Sequence, residues 1–415
     1  MPDGKRHINC DICVVGAGPV GSYLSYLLSK LGYKVTLVEE HFRVGKPVQC
    51  AGLVNNRLFD LDGLNRTEKE SVLHDIYGAN VYSPSGVYLP LRSREVKAKV
   101  IDRSRFDKSI FMQAVGEGME PLLGHSVSEL SSVNGRPRVT ALSGSGKIEI
   151  SSDIVVGSDG AGSTVRRLMK LPSPRENVPG INGEFCIKNE GPQDIVGVFT
   201  GSEIAPGFFS WAIPSGDPHT FRLGLSTTGT KEFMPHFRRF LESKVISHFL
   251  GIKKGKQLPS VSLSFGTLPM GIPDKIRKGN VVLIGDSAGM AKPTSGGGIF
   301  PGMMAARDLS MEIDITGEPN NMALDSFISN WKKGYGKELE MSLILRKMVS
   351  DVKDKEIDLV IGKLKDDKIL DFINEEGDID KPFQLAMELL MRKPSIMYLI
   401  PRFIPLMLKI KGMGH

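Results

Sequence analysis

The run from Gly285 through Asp286, Ser287, Ala288 and Gly289 to Gly296, Gly297, Gly298 and Ile299 joins a carboxylate to a glycine-rich loop. A buried strand over 280–284 delivers Asp286, and the loop opens a helix that holds Met303, Met304, Ala305 and Ala306. Asp286 can hydrogen-bond a ribose or ribityl hydroxyl. The bare N–H groups of Gly297, Gly298 and Ile299, with the positive end of a helix behind them, suit a pyrophosphate or an electron-rich ring edge. A second reactive group is the thiol of Cys50, in the loop Arg43-Val44-Gly45-Lys46-Pro47-Val48-Gln49-Cys50-Ala51-Gly52-Leu53. It could relay a proton or only shape a pocket, and residue type leaves both open.

These groups need elements to carry them. Asp11 to Val15 reads as a buried parallel strand, followed by Gly16-Ala17-Gly18-Pro19-Val20-Gly21 and a helix to Leu31. Gly32 ends the helix, and a second strand from Tyr33 to Val38 runs into Glu39. This is a dinucleotide fingerprint: Gly16 for the tight turn, Gly18 for approach of the pyrophosphate, Gly21 for helix packing, and Glu39 for an adenosine ribose. Alone it does not separate NAD from FAD. A third strand-turn-helix, Ile154 to Gly157 followed by Ser158, Asp159 and Gly160, separates them, because a nicotinamide-dependent dehydrogenase does not need three such loops.

Together the three segments resemble the flavoprotein superfamily that includes para-hydroxybenzoate hydroxylase. The resemblance implies FAD as cofactor, Asp159 and Gly160 beside it, and Asp286 on the ribityl chain. Arg103-Ser104-Arg105-Phe106-Asp107 resembles that group's R-x-x-F-D element, which implies Arg103, not Arg105, as the arginine along the FAD.

Two motifs narrow the resemblance. The Lys46-Pro47-Val48-Gln49-Cys50-Ala51-Gly52 loop looks like that of the geranylgeranyl reductase family, which implies that Cys50, Ala51 and Leu53 line the flavin. Pro206 to Pro214 alternates so that Phe209, Trp211 and Ile213 share one strand face. A turn at Ser215–Pro218 leads to Phe221, Leu223 and Leu225, and the two strands are expected to form half of an antiparallel sheet with a broad apolar face. The segment is similar to the family's PxxYxWxFP motif, whose aromatic face lines an isoprenoid tunnel, so Phe209, Trp211 and Ile213 become candidate substrate contacts. It departs from the motif at Phe209 and Ile213, and Phe209 lacks the hydroxyl that could donate a proton.

The chain of 415 residues has 53 basic and 47 acidic side chains, a net charge of +6 with no long basic block. That argues against dedicated nucleic-acid binding and leaves room for attraction to anionic lipid surfaces. Four cysteines form no disulfide framework or iron–sulfur pattern, and the eight histidines show no metal spacing. With no N-terminal secretory signature, the expected location is the cytoplasm, with peripheral contact at the inner membrane face. The tail from Ile396 to Lys409 is apolar, basic and broken by two prolines, too short to span a bilayer but suited to an interface or to covering a lipid tunnel.

The expected fold is α/β. A Rossmann-like FAD-binding domain of the para-hydroxybenzoate hydroxylase (GR2) type is built from residues 1–72, 98–172 and 266–335. Inserted into it is an antiparallel β-sheet substrate domain from residues 73–97 and 173–265, and residues 336–415 form a C-terminal helical region. The resemblance implies an FAD-dependent oxidoreductase that saturates geranylgeranyl C=C bonds of archaeal-type membrane lipids or their precursors. Flavin N5 would supply hydride while a proton reaches the other carbon, with Cys50 or an ordered water as donor. The electron donor stays open among ferredoxin, NAD(P)H and a deazaflavin. The alternative is an aromatic monooxygenase sharing the same FAD loops.

Overall fold

Apolar runs that do not alternate must be buried on both faces, which is the signature of a parallel sheet covered by helices. Ile12–Val15, Ile154–Gly157 and Val281–Leu283 are such runs, and every residue in them is buried. In the computed structural model, which describes residues 6–144, 146–187, 191–228, 232–378 and 380–394, they form a six-stranded sheet. Its order is Arg277–Lys278, Val281–Leu283, Ile154–Gly157, Ile12–Val15, Val35–Glu39 and Glu120–Leu123, parallel except at the first strand. The chain leaves the central Ile12–Val15 strand toward one neighbour and returns on its other side. This is the topological switch point at which α/β sheets bind ligands outside the carboxyl ends of their strands.

Helices Pro19–Lys30, Arg103–Gly116 and Ile299–Thr316 cover the sheet. The third packs against the first through Gly302, where a side chain would collide with Val20. A four-stranded sheet of Arg6–Asn9, Gly146–Ser151, Arg136–Ser143 and Ser126–Val133 lies in a stretch to which the sequence reading assigned no strands. Ser126–Val133 is rich in serine and largely exposed, so its apolar alternation is weak. The Asn134-Gly135 turn, both residues at positive φ, is the signal that marks the hairpin.

The inserted sheet has seven strands in the order Ser260–Met270, Glu176–Cys186, Thr220–Ser226, Ser210–Pro214, Ile195–Phe199, Gly78–Tyr82 and Tyr88–Arg92. Here the expectation of one broad apolar face is corrected. Trp211 pairs with Gly224 and Ile213 with Arg222, whereas Ala212 pairs with Leu223. Side chains of paired residues point the same way. Phe221, Leu223 and Leu225 therefore lie on the face opposite Trp211 and Ile213. They pack with Phe237, Phe240 and Phe249 under the helices Phe233–Glu242 and Lys244–Phe249.

Beyond the Asn321–Lys333 helix, the described residues form four more helices: Tyr335–Ser350, Asp354–Leu364, Asp367–Glu376 and Pro382–Arg392. They reach the outer edge of the inserted sheet, where Asp358 accepts from Ser85 at 2.7 Å and Asn374 from the Arg92 N–H at 2.8 Å. The tail proposed as a membrane or tunnel element, 396–409, lies outside the described residues. Among the described residues no helix is long and apolar enough to cross a membrane.

Candidate cofactor and substrate site

Three loops meet at the carboxyl ends of the central strands. Gly16 has φ +104°, and a Cβ there would lie 2.6 Å from the Ser158 carbonyl, so the first loop seats directly on the third. Gly18 has nothing within 4 Å of a built Cβ, and it begins its helix with no side-chain cap. Pro19 has no N–H, and the other first-turn N–H groups lack a side-chain cap, which leaves this helix start suited to a pyrophosphate. Gly21 cannot be larger without striking the Gly16 carbonyl. Glu39 ends the neighbouring strand and accepts from the Ala17 N–H at 2.8 Å and the His41 N–H at 2.9 Å. Its carboxylate is thereby fixed beside the glycine turn.

Asp159 braces the start of the Thr164–Met169 helix, accepting from its N-cap Ser163 Oγ at 2.5 Å and from Val165 N–H at 3.0 Å. The open surface of that turn is the Gly160 backbone, φ +75°, with nothing within 4 Å. Arg166 ties this turn to the late loop by donating to the Ser287 carbonyl at 3.0 Å.

The Arg103 helix begins where the loops converge. Asp102 caps it, Arg105 points outward with its side chain 68% exposed, and Arg103 turns inward. Arg103 makes a bidentate pair with Asp107 at 3.0 and 2.9 Å. Burial opposes its charge, but the Asp107 carboxylate and the Cys50 sulfur beside it more than offset this, and the guanidinium is held above its ordinary value. Cys50 Sγ also accepts from the Gly52 N–H at 3.3 Å. Asp286 lies close enough to Arg103 to feel its charge. Burial pushes its carboxyl up to about 6, with Arg103 partly opposing the shift. A Cβ at Gly298 would collide with Asp286 Oδ1, so the carboxylate and the start of the Ile299–Thr316 helix are held together. Gly298 caps that helix without a side chain, and the N–H groups behind Gly297, Gly298 and Ile299 form its positive end.

The inserted sheet meets this wall with its polar-and-aromatic face. Arg222 donates to the Ala51 carbonyl and to the Ile101 carbonyl, each at 3.0 Å, which binds the sheet to the Cys50 loop. Gly52 gives it room, since a Cβ there would collide with the guanidinium. Ala51 and Leu53 pack with Ile76, Val100, Val196, Ile213 and Trp211. Trp211 lies across Gly224 and donates Nε1–H to Asn182 Oδ1 at 3.0 Å. Phe209 meets Trp211 edge-on at 6.1 Å and stacks on Phe208 at 4.5 Å. Phe208 carries the Arg346 guanidinium 4.8 Å from its ring centroid.

Of the three candidate substrate contacts, Phe209 and Trp211 keep accessible surface, while Ile213 is enclosed at 3% exposure. The sequence reading missed Arg222 and Asn182. Arg222 breaks the apolar run Phe221-Arg222-Leu223-Gly224-Leu225 with a charge, and that break is the signal. Open glycine backbone at Gly18 and Gly160, the Glu39 carboxylate held beside the first turn and a helix start beside Asp286 together fit an FAD-sized dinucleotide.

Comparison with known proteins points to the same cofactor. Residues 9–330 match the family described as FAD binding domain. An uncharacterized protein of Methanocaldococcus jannaschii is 29% identical over 92% of this chain and 94% of its own length. The digeranylgeranylglycerophospholipid reductase of Methanothrix thermoacetophila is 26% identical over 87% of this chain and 93% of its own. A geranylgeranyl bacteriochlorophyll reductase-like protein from Thermoplasma acidophilum superposes with a TM-score of 0.79 at 17% identity, covering 94% of this chain and all (100%) of that one. The p-nitrophenol 4-monooxygenase PnpA from Pseudomonas putida gives 0.72 at 16%, covering 89% and 98%. At such identities the two structures speak to the fold.

Proposed function

The chain belongs to the FAD binding domain family and is an FAD-dependent oxidoreductase; on that premise we propose that it saturates isoprenoid C=C bonds, specifically geranylgeranyl chains of archaeal-type membrane lipids or their precursors. The observation that carries this reading is the join made by Arg222, which fastens the Phe209–Trp211 face to the Cys50 loop of the cofactor wall. The named reductases among its relatives support the substrate class. The working division is a discontinuous FAD-binding domain, the inserted sheet as substrate domain, and a helical C-terminal region.

When bound and reduced, FAD supplies hydride at N5, and each double bond saturated takes up that hydride and one proton. Gly16, Gly18, Gly21 and Glu39 hold the adenosine diphosphate end, and Arg103, Asp159, Gly160 and Asp286 flank the middle. The N–H groups at Gly297, Gly298 and Ile299 would hold the ring and stabilise negative charge on it. An isolated trisubstituted alkene is a poor electrophile, so a proton must be available at the second carbon and bulk water must be kept away. Phe209 and Trp211 form a dry wall for the chain, with Ile213 packed behind them. The Cys50 thiol, at the Arg103 side of that wall, is the protein group best situated to hold or pass the proton, with an ordered water as the other donor.

The reductant is an external carrier, of ferredoxin, nicotinamide or deazaflavin type. The protein works in the cytoplasm, against the inner membrane face where its lipid resides. The test is to reduce the purified holoprotein with dithionite under anaerobic conditions and add geranylgeranylated phospholipid. Reoxidation of the flavin by lipid is expected. Reoxidation only on admitting air, with oxygenation of an added phenol, would identify a monooxygenase instead.

A further inference from the structure

Two ionisable side chains that this mechanism does not use are enclosed behind the glycine loop. Lys292 is 6% exposed and Asp380 is 1% exposed, and Lys292 Nζ pairs with Asp380 Oδ1. Enclosing a charge pair is costly and gives weak net stabilisation, so its position asks for a use. The second carboxylate oxygen, Asp380 Oδ2, is buried with no hydrogen-bond partner among the described residues.

Lys292 is built into the loop it supports. Its N–H donates to the Gly297 carbonyl at 3.1 Å, and its carbonyl accepts from Gly296 N–H at 2.8 Å. A Cβ on Gly297 would lie 3.0 Å from Lys292 Cε and 3.6 Å from Nζ. The ammonium therefore stands immediately behind the backbone of Gly297, whose N–H neighbours open the Ile299–Thr316 helix. Asp380 arrives from far along the chain, between the Asp367–Glu376 and Pro382–Arg392 helices. It is held in place by Asp380 N–H to Asp378 Oδ1 at 2.8 Å, by Arg57 to Asp378 Oδ2 at 2.5 Å, and by Tyr335 O–H to the Asp380 carbonyl at 3.3 Å. One charge thus belongs to the cofactor loop and its counter-charge to the C-terminal region.

We propose that the Lys292–Asp380 pair sets the reduction potential of the bound FAD, the lysine favouring the reduced cofactor and the aspartate moderating it. This rests on the reading that the flavin ring meets Gly297, Gly298 and Ile299. Reduction places negative charge on the ring edge facing that loop, and a cation enclosed behind it, poorly screened by solvent, lowers the free energy of the reduced form. The aspartate subtracts part of that effect. The two residues must therefore act with opposite signs, which a packing role would not produce.

The experiment is a dye-equilibrated redox titration of the full-length holoprotein and its Lys292→Met, Lys292→Arg and Asp380→Asn variants. At a fixed solution potential, Lys292→Met is expected to lower the ratio of reduced to oxidised flavin at least tenfold, a midpoint shift of about 30 mV to the negative for a two-electron couple. Asp380→Asn is expected to raise the ratio, and Lys292→Arg to stay near the wild type. Each variant carries its own sign, so either charge-removing variant that folds with FAD decides the matter. Unchanged midpoints, or shifts of the same sign in Lys292→Met and Asp380→Asn, would overturn the proposal. The titration uses no lipid. A wild-type protein that reduces no alkene removes the reductase reading and leaves this one to its midpoints, whereas unmoved midpoints in a lipid-reducing protein do the reverse.

Discussion

The two faces of the inserted sheet are written by alternate residues of the same strands, yet they have little in common. The face carrying Leu223, Leu225, Phe221 and Phe199 is mainly apolar, with Ser210 and Asn80 enclosed in it, and is sealed by the helices that bring Phe237, Phe240 and Phe249. The other carries Trp211, Asn182, Arg222 and Gly224, half-buried or glycine, with each polar group tied across strands or across to the cofactor loops. The first face makes the sheet stable. The second gives up apolar uniformity to hold the sheet against the Cys50 loop and keep an aromatic row available. The sealing contacts and the ties to the Cys50 loop are separated by a period of two residues.

That separation can be broken from either side. Leu223→Ala on the sealed face should cost about 2–5 kcal/mol of folding stability, read by urea melts, with holoprotein that does fold retaining its turnover per flavin. An equally large loss of turnover per bound flavin would mean the sealed face also serves the site.

On the cofactor wall facing the second side, Asp286 predicts a pH effect. Its folded carboxyl titrates at about 6 rather than the ordinary 3.8. Between about pH 4 and pH 6 the folded FAD-free protein keeps a proton that the unfolded chain has released, so stability falls as pH rises through that window. The full loss, on the order of 3 kcal/mol, is reached above pH 6. Melts of apoprotein across this range should show the slope, and Asp286→Asn should flatten it. Identical slopes in both proteins would assign the burial effect elsewhere.

Arg222→Met should strand the Ala51 and Ile101 carbonyls. We expect about 1–3 kcal/mol of lost stability and FAD bound at least tenfold more weakly, measured by fluorescence titration. FAD affinity unchanged beside a normal melt would show that the sheet and the Cys50 loop are not coupled. Trp211→Ala should disturb the melt least of these, and still lower lipid turnover more than tenfold with FAD retained. Lost FAD with residual turnover unaffected would move the lipid wall away from this face.

Much of this molecule could be read before its fold was known, where chemistry is local. The glycines at Gly16, Gly18 and Gly21, with Glu39 behind a second strand, specify a turn because backbone approach and φ leave few alternatives. Arg103 and Arg105 were told apart by motif, and the helix does turn them to opposite sides. Which way a strand's alternate residues face was not legible for Phe221, Leu223 and Leu225, because both sides of this sheet are covered and periodicity alone cannot name the cover. Arg222 was passed over inside an apolar run, although its charge was the anomaly. The hairpin at Asn134-Gly135 carried a turn signal that its weak, serine-rich strands obscured. The pairing of Lys292 with Asp380 joins residues far apart in the chain, with no local pattern to announce it.

The most direct test of the central claim is the mass of the lipid after a single anaerobic turnover by stoichiometrically reduced holoprotein. The expected product is a geranylgeranylated phospholipid heavier by one pair of hydrogens per flavin reoxidised, with far less of it from Trp211→Ala at equal FAD content. Lipid recovered unchanged while the flavin stays reduced would contradict it.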